Sequence, residues 1–115
     1  MPFLEEKIWG LINAGWDRMN NEQRRFWEAI RLHPQEWELV GYGRCWVVGL
    51  IGANVFYYNH FETGFNRSAW SKYGFIDQYQ SLQWELDEVV GQQIEIIRRG
   101  YDWSPRSGPP IAGCY

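Results

Sequence analysis

Cysteine is scarce in this chain, two residues in 115, and several other scarcities narrow the possible functions before any motif is read. Cys45 falls in an expected strand and Cys114 in an expected tail, so free thiols in a reducing cytosol are the expectation rather than a disulfide framework. The sequon Asn66-Arg67-Ser68 is then idle, because it matters only in a secretory pathway. Histidine is equally rare, His33 and His60 alone, and no CxxC or HxxxH pair accompanies them. Cys45, His60 and Glu62 would give a metal three ligands at most. No glycine-rich phosphate loop is present, since Gly41-Tyr42-Gly43 does not continue as one, and no cofactor is implied. Basic clusters are missing too: Arg24-Arg25 and Arg98-Arg99 are isolated pairs, and the formal net charge is −3. That balance excludes the electrostatic footprint of nucleic-acid binding. The longest apolar run, Cys45 to Ala53, is about half the span of a membrane helix. The opening MPFLEEKIWG has acids where a secretory signal needs bases, so a cytoplasmic protein is expected.

Aromatic residues are abundant by contrast. Eight Trp, seven Tyr and six Phe make 18% of the chain. Large aromatics fill cores and also anchor interfaces. So many of them in a chain of one-domain size favour a binding role.

The clearest fold signal is Arg44 to Phe61, two apolar runs hinged at Gly52-Ala53. Glycine at the first central position of a two-residue turn marks a type II′ hairpin, because that position needs positive φ. Pairing Ile51 with Asn54 sets Leu50 opposite Val55, Gly49 opposite Phe56, Val48 opposite Tyr57 and Cys45 opposite His60. The Gly49 pair lets an aromatic ring cover a strand glycine.

Around the hairpin, Pro2 can open a short helix with Leu4, Ile8 and Leu11 on one face, closed by Asn13-Ala14-Gly15. Asn20 and Gln23 have capping-box spacing for a second helix, which Pro34 ends. A further turn from Pro34 through Trp37 and a strand over Glu38 to Tyr42 follow. Thr63 to Gly74 reads as a loop studded with aromatics. Asp77 and Gln80 read as the cap of a last helix that Arg98-Arg99-Gly100 ends. Its interior Gly91 faces away from the apolar stripe, so a kink or an approaching partner is needed to explain it. The expected fold is α+β. N-terminal and C-terminal helices pack on an antiparallel sheet of three or four strands over residues 1–100, and a Pro/Gly-rich arm spans 101–115.

Charge collects at one end. Residues 76–115 hold six acids and three bases, whereas the rest of the chain balances. Ser81, Glu85, Glu88, Gln92 and Glu95 fall on one helical face at about 100° per residue, with Trp84 beside them. Such a face suits a basic protein partner, because complementary charge steers encounter while a buried Trp supplies affinity. The candidate binding residues are Trp84, Glu85, Glu88 and Glu95, joined by Phe65 and Trp70 from the aromatic loop. A solvated helix face with Trp84 covered by a loop is the plainer reading.

A second class of function is a small-ligand or hydrolytic site at the hairpin mouth, lined by Tyr58, His60, Glu62 and Asn66. A Cys45–His60–Glu62 set has the elements of thiol catalysis, but no helix N-terminus or base stands near Cys45 to lower its pKa. A third reading is a homo-oligomer joined through the arm and Trp84.

The run from Trp46 to Val90 resembles a type of small, uncharacterised bacterial protein. The resemblance rests on Tyr58-Asn59, Glu62-Thr63-Gly64-Phe65-Asn66, Tyr73-Gly74 and Trp84-Glu85-Leu86. In size, acidity and aromatic content the chain is similar to immunity proteins that neutralise contact-delivered toxins. That likeness implies a non-catalytic protein occluding a basic partner, and it transfers no site residues.

Overall fold

The computed structural model describes residues 4–100, so the arm expected over 101–115 and a helix start at Pro2 lie outside the described residues. Three helices and a five-stranded sheet form an α+β fold. Helix α1 (Glu5–Arg18) carries Glu5 and Glu6 in its first turn and Arg18 in its last, complementing the helix dipole. It runs through Asn13-Ala14-Gly15, where a stop was expected. Gly15 is a packing residue: a Cβ there would stand 2.7 Å from Leu86 Cβ. Its smallness lets α1 cross α3 (Leu86–Arg99) closely.

Helix α2 (Asn21–Ile30) has the expected capping box, with Gln23 N donating to Asn20 Oδ1 and Asn20 N donating to Gln23 Oε1, both at 2.8 Å. It ends at Ile30, and strand β1 (Arg31–Leu39) begins at once. Pro34 therefore lies within a strand and opens no helical turn. The β1–β2 register slips between Arg31 and Gln35, around Pro34, and β5 covers only Glu38 and Leu39 of β1. A proline is tolerated at such an irregular, edge-exposed position because no ladder bond needs its N–H.

Strands β2 (Gly43–Ile51) and β3 (Asn54–Asn59) form the expected hairpin around Gly52, whose φ is +56°. Ile51, Leu50 and Gly49 pair with Asn54, Val55 and Phe56 as expected. The pairing then shifts: Val47, not Val48, faces Tyr57, and Trp46 faces Tyr58. The two valines are buried on opposite sheet faces, Val48 under the helices and Val47 on the other side, as neighbours in a strand are. The paired register stops at Trp46 and Tyr58, so the expected pair of Cys45 with His60 does not form. Trp27 of α2 stacks on Phe56 (centroids 6.5 Å apart, planes 4° apart), and both cover Gly49.

The segment from Thr63 on is not one loop. It contains β4 (Gly64–Ala69) and the short β5 (Phe75–Ile76), giving the order β4-β3-β2-β1-β5. The sheet is mixed rather than antiparallel, because β5 runs parallel to β1. A flat sheet would hold Ala69 and Phe75 roughly 30 Å apart, yet six residues reach only about 21 Å. The sheet therefore curls into a half-barrel, with β4 and β5 brought towards each other. Asp77 N donates to Ala69 O at 3.3 Å across the opening.

Two cores result. Ile8, Ile12, Trp27, Val48, Phe56, Phe65, Leu86, Val89 and Val90 fill the space between helices and sheet. Trp37, Leu39, Cys45, Val47, Val55, Tyr57 and Ile76 fill the other face. Helix α3 starts at Leu86 with Glu85 at its cap, eight residues later than the cap expected at Asp77. Gly100 ends it with φ of +77°, as expected. Gly91 makes room for a neighbour within the chain, since a Cβ there would meet Gln23 Nε2 of α2 at 3.0 Å.

Candidate functional site

Residues 77–84 form an extended strap across the second sheet face. Side chains, more than a backbone ladder, hold it. Ser68 Oγ accepts from Gln78 N at 2.9 Å, and Tyr57 OH accepts from Gln80 N at 2.8 Å while donating to Gln78 O at 3.0 Å. Asn59 Nδ2 donates to Gln80 O at 2.9 Å. Asn66 exchanges two bonds with Leu82, and Phe65 N donates to Trp84 O at 2.8 Å. Buried amides and hydroxyls that satisfy backbone groups in this way keep a polar segment on an apolar face without orphaned donors. Tyr57 and Cys45 lie in this core, and burial is the main cause raising both pKa values, Cys45 to about 12. The His60 backbone hydrogen bond to Cys45 works against that rise but does not reverse it. Cys45 is accordingly an inert core thiol.

The strap positions Tyr79 at the end of the sheet where two turns meet. In the first, Tyr42 N donates to Leu39 O at 2.8 Å, with Gly41 at φ +85°. In the second, Glu62 N donates to Asn59 O at 3.2 Å and Phe61 N to Asn59 Oδ1 at 3.0 Å. Thr63 follows with φ of +56°, a left-handed conformation that costs a β-branched residue of order 1–2 kcal/mol. These turns display Val40, Tyr42 and Phe61, which are 55%, 46% and 51% exposed. The Tyr42 ring packs tilted against Tyr79 (centroids 4.3 Å), Tyr79 OH donates to the Glu62 carboxylate, and His60 packs tilted against Phe61 at 4.2 Å. Burial raises the Tyr79 pKa first, and the Glu62 hydrogen bond adds to it. Burial lowers that of His60. Among the described residues no Lys, Arg or His forms an ion pair with Glu62.

A second aromatic group sits at the opposite end. Trp37 contacts Tyr73 at 4.7 Å and Trp70 at 5.8 Å. Their polar atoms are used internally: Gln35 Oε1 accepts from Trp37 Nε1 and Tyr73 OH, and Trp70 Nε1 donates to Gly52 O.

The residues marked from sequence are scattered by this geometry. Phe65 is a core residue of β4, only 1% exposed, so it presents nothing to a partner. Trp70 belongs to the hairpin-end group. Trp84 is half-buried against the helix-side core, ahead of α3 rather than on it. Glu85 pairs with Arg18 at 2.9 Å, and Arg18 also holds Asp87 at 3.0 Å. Glu88 Oε1 accepts from Glu85 N at 2.9 Å, which makes it a helix-capping residue. Glu95 pairs with Arg98 at 3.2 Å and Arg99 at 3.4 Å. The acids of α3 are thus largely matched by the chain's own arginines. The alternative set does not converge either. Tyr58 contacts Phe65 on the helix side, whereas Asn66 faces the strap on the other side. His60 and Glu62 alone reach the turn end. Among the described residues no group of three or more His, Cys, Asp or Glu is placed to hold a metal, and no helix is long and apolar enough to cross a membrane.

Sequence reasoning passed over Tyr42, Phe61 and Tyr79 as a unit. The readable signal was a large aromatic placed inside each of two glycine-flanked turns.

Comparison of the chain with protein-family models, with curated proteins and with solved structures gives no match.

Proposed function

We propose that the protein is a non-catalytic binding module that occludes a basic protein partner, of the kind toxin-immunity proteins represent. The observation behind this reading is the turn end of the half-barrel, where Val40, Tyr42 and Phe61 stand exposed beside the Glu62 carboxylate. Single exposed apolar residues are ordinary on a surface, but three on two adjoining turns form a small apolar patch with one carboxylate at its edge. Aromatic anchors of this type supply affinity, and the carboxylate steers and registers a positively charged partner. Backbone strain at Thr63, next to Glu62, fits a turn shaped for contact rather than for stability alone. The patch takes the place of the α3 face, whose Glu85 and Glu95 are neutralised by Arg18, Arg98 and Arg99. Trp84 and Glu88 serve the fold in this reading.

A photo-reactive phenylalanine analogue at position 61, with a second protein carrying it at Ile97 on α3, tests the assignment in the source cell. Adducts with a basic protein from position 61 and not from 97 support it. Equal adducts from both positions, or none from 61, overturn it.

A further inference from the structure

Among the described residues, arginines of the helical part meet carboxylates and a ring that the chain itself supplies. Arg18 and Arg98 each join two acids, and Arg24 lies over the Trp16 ring at 5.0 Å. The turn end has the same two ingredients, rings and a carboxylate, and among the described residues no cation pairs with that carboxylate. Resting on the proposed function, we infer that the turn end is a receptor for an arginine side chain of the basic partner.

Two features select a guanidinium over an ammonium, and a third lowers the cost of binding either. Tyr42 is 46% exposed while Tyr79 packs against its ring, so part of the ring is accessible to an incoming group. A planar guanidinium stacks on such a face, whereas an ammonium is a strongly hydrated point charge that gains less from it. The Tyr79 hydroxyl donates to Glu62 Oε2, and a carboxylate has a second oxygen, Oε1, that can accept from an incoming donor. A forked cation can therefore stack on Tyr42 and donate to Glu62 together. Finally, the Glu62 backbone carbonyl is itself fixed by Gln83 Nε2 at 2.9 Å, so little side-chain and turn freedom is lost on binding. Phe61 closes the side near Gly43, where its Cζ stands 3.9 Å from the position of a Cβ.

The test is an amide NMR titration of the whole chain with blocked peptides of sequence Gly-Arg-Gly-Arg-Gly, Gly-Lys-Gly-Lys-Gly and the citrulline analogue. The arginine peptide is expected to shift amides of residues 40–43 and 60–64, with affinity about fivefold above the lysine peptide. Citrulline, neutral but equal in shape, should give no saturable shift. Glu62→Gln should weaken the arginine peptide about tenfold and Tyr42→Leu at least threefold, each with an otherwise parental spectrum. Equal binding of lysine and arginine at these turns overturns the guanidinium receptor and leaves the basic-partner patch standing. Shifts elsewhere, or none with either cation, overturn both.

Discussion

Asn66 on β4 and Leu82 on the strap exchange two hydrogen bonds, Asn66 Nδ2 donating to Leu82 O at 2.8 Å and Leu82 N donating to Asn66 Oδ1 at 3.0 Å. One side-chain amide thus does for the strap what a neighbouring strand's backbone does in a ladder. Asn66→Leu keeps the size but removes both bonds and leaves Leu82 N–H and C=O without their partner. A loss of about 2–4 kcal/mol is expected in urea unfolding. Faster hydrogen exchange at the Leu82 amide should accompany it, with α1 and α2 amides little changed.

Gly64 and Thr63 are adjacent and should respond in opposite senses. A Cβ at Gly64 would lie 2.4 Å from both Leu82 O and Gln83 Cα, backbone atoms that cannot yield without moving the strap. Gly64→Ala should cost about 1–3 kcal/mol. Thr63→Gly relieves a left-handed φ of +56° and should be neutral to stabilising, by up to about 1 kcal/mol after the added freedom of the unfolded chain is counted. Thermal melts of the two variants decide the point.

Alkaline pH should unfold this protein through its second core. Burial raises the Cys45 thiol from 9.0 to about 12 and pushes the Tyr57 hydroxyl upward as well. Between the unfolded and folded pKa values the native state holds a proton that the unfolded chain has lost. Stability is therefore fully present below pH 9 and falls as pH rises towards 12. Cys45→Ala should flatten that fall while lowering stability at neutral pH through the space it opens. In the parent protein at pH 8, a thiol reagent should modify Cys45 only at the rate at which the core opens.

Glu88 and Glu95 both lie on α3 but differ in what they do. Glu88→Lys removes the carboxylate that accepts from Glu85 N and places a cation in the first turn, so it should cost about 1 kcal/mol. Glu95→Lys disturbs only exposed ion pairs with Arg98 and Arg99 and should stay within about 0.5 kcal/mol in stability. Neither should change partner binding where folding is intact.

Locally encoded features were legible in the sequence. Gly52 marks the hairpin turn, Asn20 and Gln23 the α2 cap, Gly100 the end of α3, and Gly49 the place where Phe56 covers the sheet. Features set by distant partners were not. Tyr79 and Leu82 continue the 3.6-residue period of Leu86, Val89 and Val90, so periodicity extended α3 back to Asp77. Ser68, Tyr57, Asn59 and Asn66 hold those residues extended instead, and nothing local announces them. The bulge at Val48 was equally hidden, because Val47 and Val48 are both apolar and either can face inward. The expected Cys45–His60 ladder pair is absent, because β3 ends at Asn59 and its pairing with β2 stops at Trp46 and Tyr58. Of the candidate site, Glu62 and His60 were found and their aromatic companions were not, since Tyr42 and Tyr79 each follow by three residues the parallel pair Leu39–Ile76, and nothing local announces that β1–β5 pairing.

The binding role itself is tested most directly by paired capture from lysate of the source organism. The baits are the parent protein, Tyr42→Ser/Phe61→Ser, and Glu95→Lys as a control on the opposite surface. One basic protein should be held by the parent and by Glu95→Lys and lost from the turn variant, whose melting temperature stays parental. Retention of that protein by Tyr42→Ser/Phe61→Ser, or its loss only from Glu95→Lys, would contradict a binding surface at the turn end.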